Sequence, residues 1–182
     1  MLRLTHRTVK RACQIRPFSI SDESKNLLIE RLLDAKGKSN KNFDTIAKEL
    51  GVTNSYAAQL FMAQAQLKPQ TAAKLRNSVP FIDESDIVKM QQPPFRSFDP
   101  KIMQEPLIYR LVEAVQHYGQ GIKMVVNEKK GDGIISAIDF FMDIAVVKGK
   151  AGEDRIVLTM NGKFLPFIEQ LEDENTAHDE KK

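Results

Sequence analysis

A long helical pattern that runs directly into a strand pattern constrains the fold of this chain more than any other feature. Pro106 suits the first turn of a helix. The apolar residues that then recur along one helix face are Leu107, Leu111, Val115, Ile122 and Val126. Gly119 and Gly121 each weaken the middle of this helix by about 1 kcal/mol relative to alanine, so a kink or close packing is expected there. After the turn Gly131-Asp132-Gly133, the pattern changes to that of a β-strand.

Three strands are predicted after this turn. They are residues 134–141, residues 155–160 after a turn at 148–154, and residues 163–167 after a tight hairpin turn at Asn161-Gly162. One helix and three short strands, about 60 residues in all, bury too little apolar surface to be stable alone. We therefore expect the protein to be an obligate homo-oligomer, in which other copies of the chain complete the fold.

The predicted fold class is α+β, with an all-helical N-terminal part followed by this helix-and-strand part. Residues 21–80 show four short amphipathic helices with capping residues, which indicates a compact bundle. Residues 81–104 are rich in proline and are expected to form an extended linker. This linker should be ordered, because Phe81, Phe95 and Phe98 would be costly to leave in water. A catalytic and oligomerisation domain is predicted at 105–168, and a disordered acidic tail at 169–182.

The charge distribution separates a basic leader from the rest of the chain. Residues 1–20 contain five Lys or Arg residues and no acidic residue, whereas the remainder has 22 basic against 24 acidic residues. The leader is similar to a mitochondrial presequence, and a basic tail on a cytosolic protein is the equal alternative. Cys13 is the only cysteine, which excludes an intramolecular disulfide and fits a reducing, intracellular compartment. No apolar run approaches the roughly 20 residues that cross a bilayer, so no membrane contact is expected.

The second and third predicted helices resemble a helix-turn-helix, through the pattern Ile46-Ala47-x-x-Leu50-Gly51-Val52-Thr53. Residues 49–67, which include the would-be recognition helix, contain no Lys or Arg to meet DNA phosphates. This favours a bundle that shares only the topology, without a nucleic-acid partner. DNA binding stays open as the alternative because several polar side chains there suit base contacts: Asn54, Ser55, Gln59, Gln64 and Gln66.

The residues that remain for chemistry are few. The histidines His6, His117 and His178 form no pair for a metal ion, and neither a Walker loop nor a GxGxxG motif is present. We therefore expect no metal and no cofactor. His117 is expected to be a partly buried residue with a packing or hydrogen-bonding role. Arg110 and Glu113 lie three apart on the long helix, so the carboxylate can orient the guanidinium. From spacing alone, Arg110 and Glu113 are expected to form an ordinary surface ion pair. Ser136 alone is expected to be an ordinary strand residue.

A resemblance changes this balance for Arg110, Glu113 and Ser136. The chain resembles the cyanase (cyanate hydratase) family in residues 105–113, 117–119, 128–140 and 161–167. The preceding helices resemble that family's helix-turn-helix-like N-terminal domain, so the likeness covers residues 21–167. One mild departure is Lys130, where the family often has an aromatic or apolar residue. The family's catalytic Arg and Glu occupy the Tyr-Arg-x-x-Glu motif and its Ser the Gly-Asp-Gly-Ile-x-Ser motif, which implies Arg110, Glu113 and Ser136 as catalytic residues.

The resemblance implies a lyase that decomposes cyanate, with bicarbonate as co-substrate, to ammonia and carbon dioxide through carbamate. It also implies a homodecamer of interlocked dimers with active sites at subunit interfaces. A fixed guanidinium suits this reaction, because two small anions must be held together against their repulsion. Ser136 is expected to donate a hydrogen bond to a bound anion, and Glu113 to orient Arg110. A purely structural assembly module and a DNA-binding regulator are the competing classes.

Overall fold

The fold is known from a computed structural model that describes residues 22–174. The predicted leader, residues 1–20, and most of the predicted acidic tail, residues 175–182, lie outside the described residues. The main elements in chain order are the helices α1 (Asp22–Lys38), α2 (Phe43–Leu50), α3 (Asn54–Phe61), α4 (Pro69–Ser78), α5 (Glu84–Met90) and α6 (Pro106–Lys130), then the strands β1 (Gly133–Lys148) and β2 (Asp154–Pro166). Two short 3-10 turns at Pro100–Gln104 and Glu172–Glu174 complete the order. The predicted α+β class is confirmed.

The helices α1 to α5 share one hydrophobic core. Its largest fully buried side chains include Leu32, Ile46, Phe61, Leu75 and Ile87, one from each of these helices. Capping side chains set where the short helices begin: the Asn42 side chain accepts from the Thr45 N–H, and the Thr53 side chain accepts from the Tyr56 N–H. Gly51 ends α2 in the left-handed conformation, with φ of 75°. This half of the described chain therefore has a complete core of its own.

The prediction of an extended linker over residues 81–104 is wrong for Glu84–Met90, which form α5. Ile87 and Met90 are buried in the bundle core, and the Leu67 N–H donates to the Met90 carbonyl at 2.8 Å. Pro80 lies before this helix, and the prolines that follow begin only at Pro93, after it. The bundle therefore has five helices, where four were predicted. The short apolar face of α5 closes its core.

The extended segment that follows α5 is held against the bundle by hydrogen bonds. The largely buried Lys25 ammonium donates to the Phe95 carbonyl at 3.4 Å and to the Ser97 hydroxyl at 3.2 Å. The Gln64 amide donates to the Ser97 carbonyl. Burial of aromatic rings does not explain this order, since Phe95 and Phe98 are both mostly exposed in the single chain.

The C-terminal strands form one antiparallel hairpin, so the prediction of three strands is wrong. Residues 149–153 make the turn between β1 and β2, as predicted, but Asn161 and Gly162 lie inside β2, opposite Phe141 and Phe140. The register shifts between Ile135 and Phe140, so that β1 carries extra residues at 136–139. An Asn-Gly pair usually marks a tight turn. Here it lies opposite an irregular bulge in the facing strand instead.

The helix α6 matches its prediction and has little support within its own chain. The Glu105 side chain caps its first turn by accepting from the Ile108 N–H at 3.0 Å, and Gly131 ends it at φ of 86°. The helix continues without a break through Gly119 and Gly121. None of its 25 residues is buried.

Large apolar side chains are exposed along both α6 and the hairpin. The most exposed of them are Leu107, Val115, Tyr118, Met124, Ile138, Phe141, Val146 and Ile156. Isolated soluble chains seldom expose apolar surface on this scale. No helix among residues 22–174 is long and apolar enough to span a bilayer. The hydrophobic core of the described chain therefore belongs to the bundle, and the C-terminal half lacks one.

An ion pair between a partly exposed arginine and a buried carboxylate joins α1 to α5. The Arg31 guanidinium donates two hydrogen bonds to the Asp86 carboxylate, at 2.8 and 2.9 Å, and the Asp86 side chain is only 3% exposed. The hydrogen bond from Arg31 holds the pKa of Asp86 below its ordinary value, although burial acts in the opposite direction. Because this pKa is lowered by folding, Asp86 stabilises the fold above its ordinary pKa and loses that effect at lower pH.

We predict that Asp86→Asn lowers the free energy of unfolding by about 1–3 kcal/mol at pH 7, because the charge-assisted fork is lost in a buried position. The difference from wild type should shrink as the pH falls below 3.8, the ordinary pKa of the group. Urea unfolding at one protein concentration, repeated between pH 7 and pH 3, measures both effects. The control is Glu84→Gln, which removes a similar fork with Arg76 between two exposed side chains and should change little. Equal losses for both variants would contradict the role of burial.

Candidate active site

Arg110 and Glu113 form an ion pair in the second turn of α6. The Arg110 Nη1 donates to the Glu113 Oε2 at 2.5 Å, and both side chains are more than half exposed. The guanidinium also lies near the Tyr109 ring, 5.6 Å from its centroid. The spacing of three residues predicted this pair. The Arg110 side chain is 70% exposed in the single chain, and a guanidinium can offer a planar anion a fork of donors.

Ser136 lies at the start of the bulge in β1. Its hydroxyl oxygen accepts hydrogen bonds from the Ile138 N–H at 3.2 Å and from the Asp139 N–H at 3.0 Å. A serine hydroxyl has two acceptor lone pairs and one donor, so both acceptor positions are used by the bulge. The hydroxyl proton is the group that Ser136 can still offer to a ligand.

The bulge leaves no room for a side chain at position 162 on β2. A Cβ atom added to Gly162 would lie 2.8 Å from the Phe140 ring and 2.9 Å from the Ser136 carbonyl oxygen, and still closer to Ile135. Glycine at this position therefore permits the close approach of the two strands that shapes the backbone around Ser136.

Lys123 fixes the turn before β1, and sequence reasoning missed it. Its ammonium donates to the Asp132 carboxylate at 2.8 Å and to the Gly133 carbonyl at 3.3 Å. Lys123 precedes Gly131 by eight residues, about two helical turns, so it shares the side of α6 toward which the chain turns back. That spacing was the available signal.

The single chain does not bring Arg110 and Ser136 together. Arg110 is 20 residues before the end of α6, about 30 Å along the helix axis, and Ser136 lies beyond that end. No hydrogen bond within residues 22–174 joins Ser136 to Arg110 or Glu113. An open cleft of about 1140 Å³ between the bundle and β1 is lined by Ala137 and Ile138, but by neither member of the ion pair. In one chain the ion pair and the serine therefore lie at separate places.

The remaining predictions about chemistry concern histidine and metals. His117 is exposed on α6 in the single chain, where a partly buried position was predicted, and its ring contacts Tyr118 edge to face at 4.8 Å between centroids. Within the described part of the chain, no group of three or more His, Cys, Asp or Glu residues is placed to hold a metal ion.

Known proteins with similar sequences cover most of the chain. The family model described as the cyanate lyase C-terminal domain matches residues 100–169. A cyanate hydratase from Phaeodactylum tricornutum is 51% identical over 150 residues, which cover 82% of this chain and 78% of that protein. A cyanate hydratase from Arabidopsis thaliana is 48% identical over 146 residues, which cover 80% of this chain and 87% of that protein.

A solved structure is similar as well. The crystal structure of cyanase from T. urticae matches with a TM-score of 0.67 and 27% sequence identity. The match covers 77% of this chain and 97% of that chain, so it includes both the bundle and the C-terminal half.

We predict that Gly162→Ala destabilises the hairpin by about 1–3 kcal/mol, because the added methyl group must displace the bulge around Ser136. Thermal unfolding at a fixed protein concentration measures the loss. Gly37→Ala is the matched control, since an added Cβ there meets no atom within 4 Å and alanine favours the helix. An unchanged melting temperature for Gly162→Ala would show that the bulge does not need glycine opposite it.

Proposed function

The chain belongs to the cyanate hydratase (cyanase) family, and on that premise we propose that it decomposes cyanate in a reaction that requires bicarbonate. A bicarbonate oxygen attacks the cyanate carbon, carbon dioxide leaves, and carbamate remains. Carbamate then breaks down to ammonia and a second carbon dioxide. In sum, one cyanate and one bicarbonate take up two protons and give one ammonia and two carbon dioxide molecules. The similarity to cyanate hydratases over most of their length carries the proposal.

The chemistry of the three candidate residues supports this reaction. Cyanate and bicarbonate are both anions, and their mutual repulsion opposes the attack that joins them. Arg110 offsets this repulsion with a positive charge and several planar donors. Glu113 holds one edge of the guanidinium through the 2.5 Å contact and leaves the other edge for substrate. The site works mainly by holding two reactants in a productive orientation.

Ser136 acts as a hydrogen-bond donor in this scheme and not as a nucleophile. Its two acceptor positions are occupied by the N–H groups of Ile138 and Asp139, and no histidine or other general base contacts its hydroxyl in the described chain. A hydroxyl held in this way donates in a fixed direction, toward an oxygen or nitrogen that gains negative charge during the reaction. No metal ion or organic cofactor is needed for these steps.

We propose that the site is completed between subunits. In one chain Arg110 lies near the start of α6 and Ser136 lies in β1, beyond the end of that helix. The roles given to them require both to contact the same pair of small anions. Apolar side chains along α6 and the hairpin supply the surface on which other copies can pack. The assembly that the family resemblance implies is a homodecamer of interlocked dimers.

We predict that the purified protein releases ammonia from cyanate only when bicarbonate is present. Arg110→Leu and Ser136→Ala should each lower kcat by at least about 100-fold, because each removes a donor that stabilises charge in the transition state. A coupled ammonia assay measures both effects. The control is Arg76→Leu, which removes another arginine from an exposed Arg–Glu pair and should retain wild-type kcat. Substantial turnover by Arg110→Leu would remove Arg110 from the site.

We predict an assembly of about ten times the 20.6 kDa chain mass. Ile138→Asp should break it into smaller species, because Ile138 is 99% exposed in the single chain and a carboxylate there would be buried between subunits. Light scattering after size exclusion gives the mass. Val88→Asp, on the exposed face of α5, should leave it unchanged. A wild-type monomer at micromolar concentration would contradict the interface site.

A further inference from the structure

The beginning of α3 contacts the outer edge of β1. The Asn54 side-chain amide donates to the Ile144 carbonyl at 2.7 Å, and its carbonyl oxygen accepts from the Ile144 N–H at 3.1 Å. The neighbouring Ser55 hydroxyl donates to the Met142 carbonyl at 2.5 Å. These three hydrogen bonds connect the helical bundle directly to the strand that carries Ser136.

The pattern of these bonds is that of a neighbouring strand. In an antiparallel pair, every second residue turns both its N–H and its carbonyl away from the partner strand. Met142 and Ile144 are two residues apart on β1 and face the side opposite β2, where no further strand is present in the described chain. The Asn54 amide donates to the Ile144 carbonyl and accepts from the Ile144 N–H, as a strand residue would, so both backbone groups of Ile144 have a partner.

A second contact fixes the orientation of the Asn54 amide. Its amino group also donates to the Asp44 carboxylate on α2 at 2.8 Å. A carboxylate only accepts hydrogen bonds, so the amino group must face Asp44 and the Ile144 carbonyl, and the amide oxygen must face the Ile144 N–H. Helices α2 and α3 together therefore hold this side chain in the orientation that the strand edge requires.

We propose that the helix-turn-helix-like unit is an intramolecular clamp on the edge of β1. Asn54 and Ser55 are positioning residues for the bulge that presents Ser136, six residues before Met142. The role of Asn54 and Ser55 in positioning Ser136 rests on the proposed function. Their hydrogen bonds to the edge of β1 do not depend on it. The side chains at the start of a groove-reading helix are the ones that contact bases. In this chain Asn54 and Ser55 are already bound to protein backbone, which explains how the topology exists without Lys or Arg in residues 49–67.

The first test measures the clamp without reference to activity. Hydrogen exchange is followed by mass spectrometry in peptides that cover residues 141–146, with wild type, Asn54→Ala and Asn54→Asp. Both variants should exchange at least about 10-fold faster in these peptides, because opening of the edge exposes the Ile144 amide. Asn54→Asp has nearly the same volume but turns an oxygen toward two other acceptors, so it separates hydrogen bonding from packing.

The matched control is Asn77→Ala, which removes an exposed asparagine on α4 of the same bundle. It should leave exchange in residues 141–146 unchanged. Ser55→Ala is a second, milder variant that keeps the Asn54 contacts. Wild-type exchange in both Asn54 variants would overturn the clamp.

The second test measures positioning. Asn54→Asp should lower kcat for cyanate by about 3- to 30-fold with KM within twofold, since a displaced Ser136 donor affects the transition state more than ground-state binding. Asn77→Ala should keep both constants. Faster exchange at residues 141–146 with unchanged kcat would overturn the positioning role. If wild type itself does not decompose cyanate, the proposed function fails, while the exchange experiment still decides the clamp.

Discussion

The incomplete burial of the C-terminal half is the constraint on which the rest of this structure depends. No residue of α6 is buried, and the hairpin exposes apolar side chains along both strands. At about 25 cal/mol for each Å² of apolar surface, exposure on this scale is unfavourable for an isolated chain. The bundle has a closed core and can hold its shape, so it gives the unfinished half a fixed base. We propose that assembly then completes both the fold and the site.

Local backbone features place the candidate residues on that unfinished half. Lys123 ties the turn at Asp132 to α6, and the β1 bulge that follows directs two N–H groups at the Ser136 oxygen. Gly162 makes the bulge possible from the opposite strand, and Asn54 holds the outer edge of β1. The serine is thus positioned by contacts from α6, β2 and α3. This fits a residue whose role depends on the direction in which it donates.

Periodicity and capping signals were sufficient to predict α6, the first four helices and the turn between the strands. They failed where tertiary contacts decide. Ile87 and Met90 form too short an apolar pattern to indicate a helix among prolines, yet closure of the bundle core selects one. Asn161-Gly162 has the local preference of a hairpin turn. In the structure, however, Gly162 lies inside β2, where the close approach of the bulge around Ser136 requires a glycine. Arg110, Glu113 and Ser136 could be named only from family motifs, because their spacing alone describes an ordinary ion pair and an ordinary strand serine.

The central claim is that one active site takes Arg110 and Ser136 from different subunits. It is tested most directly by co-expressing Arg110→Leu and Ser136→Ala chains with different affinity tags and assaying the doubly purified hybrid assemblies for ammonia release from cyanate. Each variant alone should be inactive. In random hybrids, about one site in four should contain both an intact arginine and an intact serine, so a corresponding fraction of wild-type activity should return. Hybrids that assemble fully and remain inactive would contradict the claim, since both residues would then have to come from the same chain.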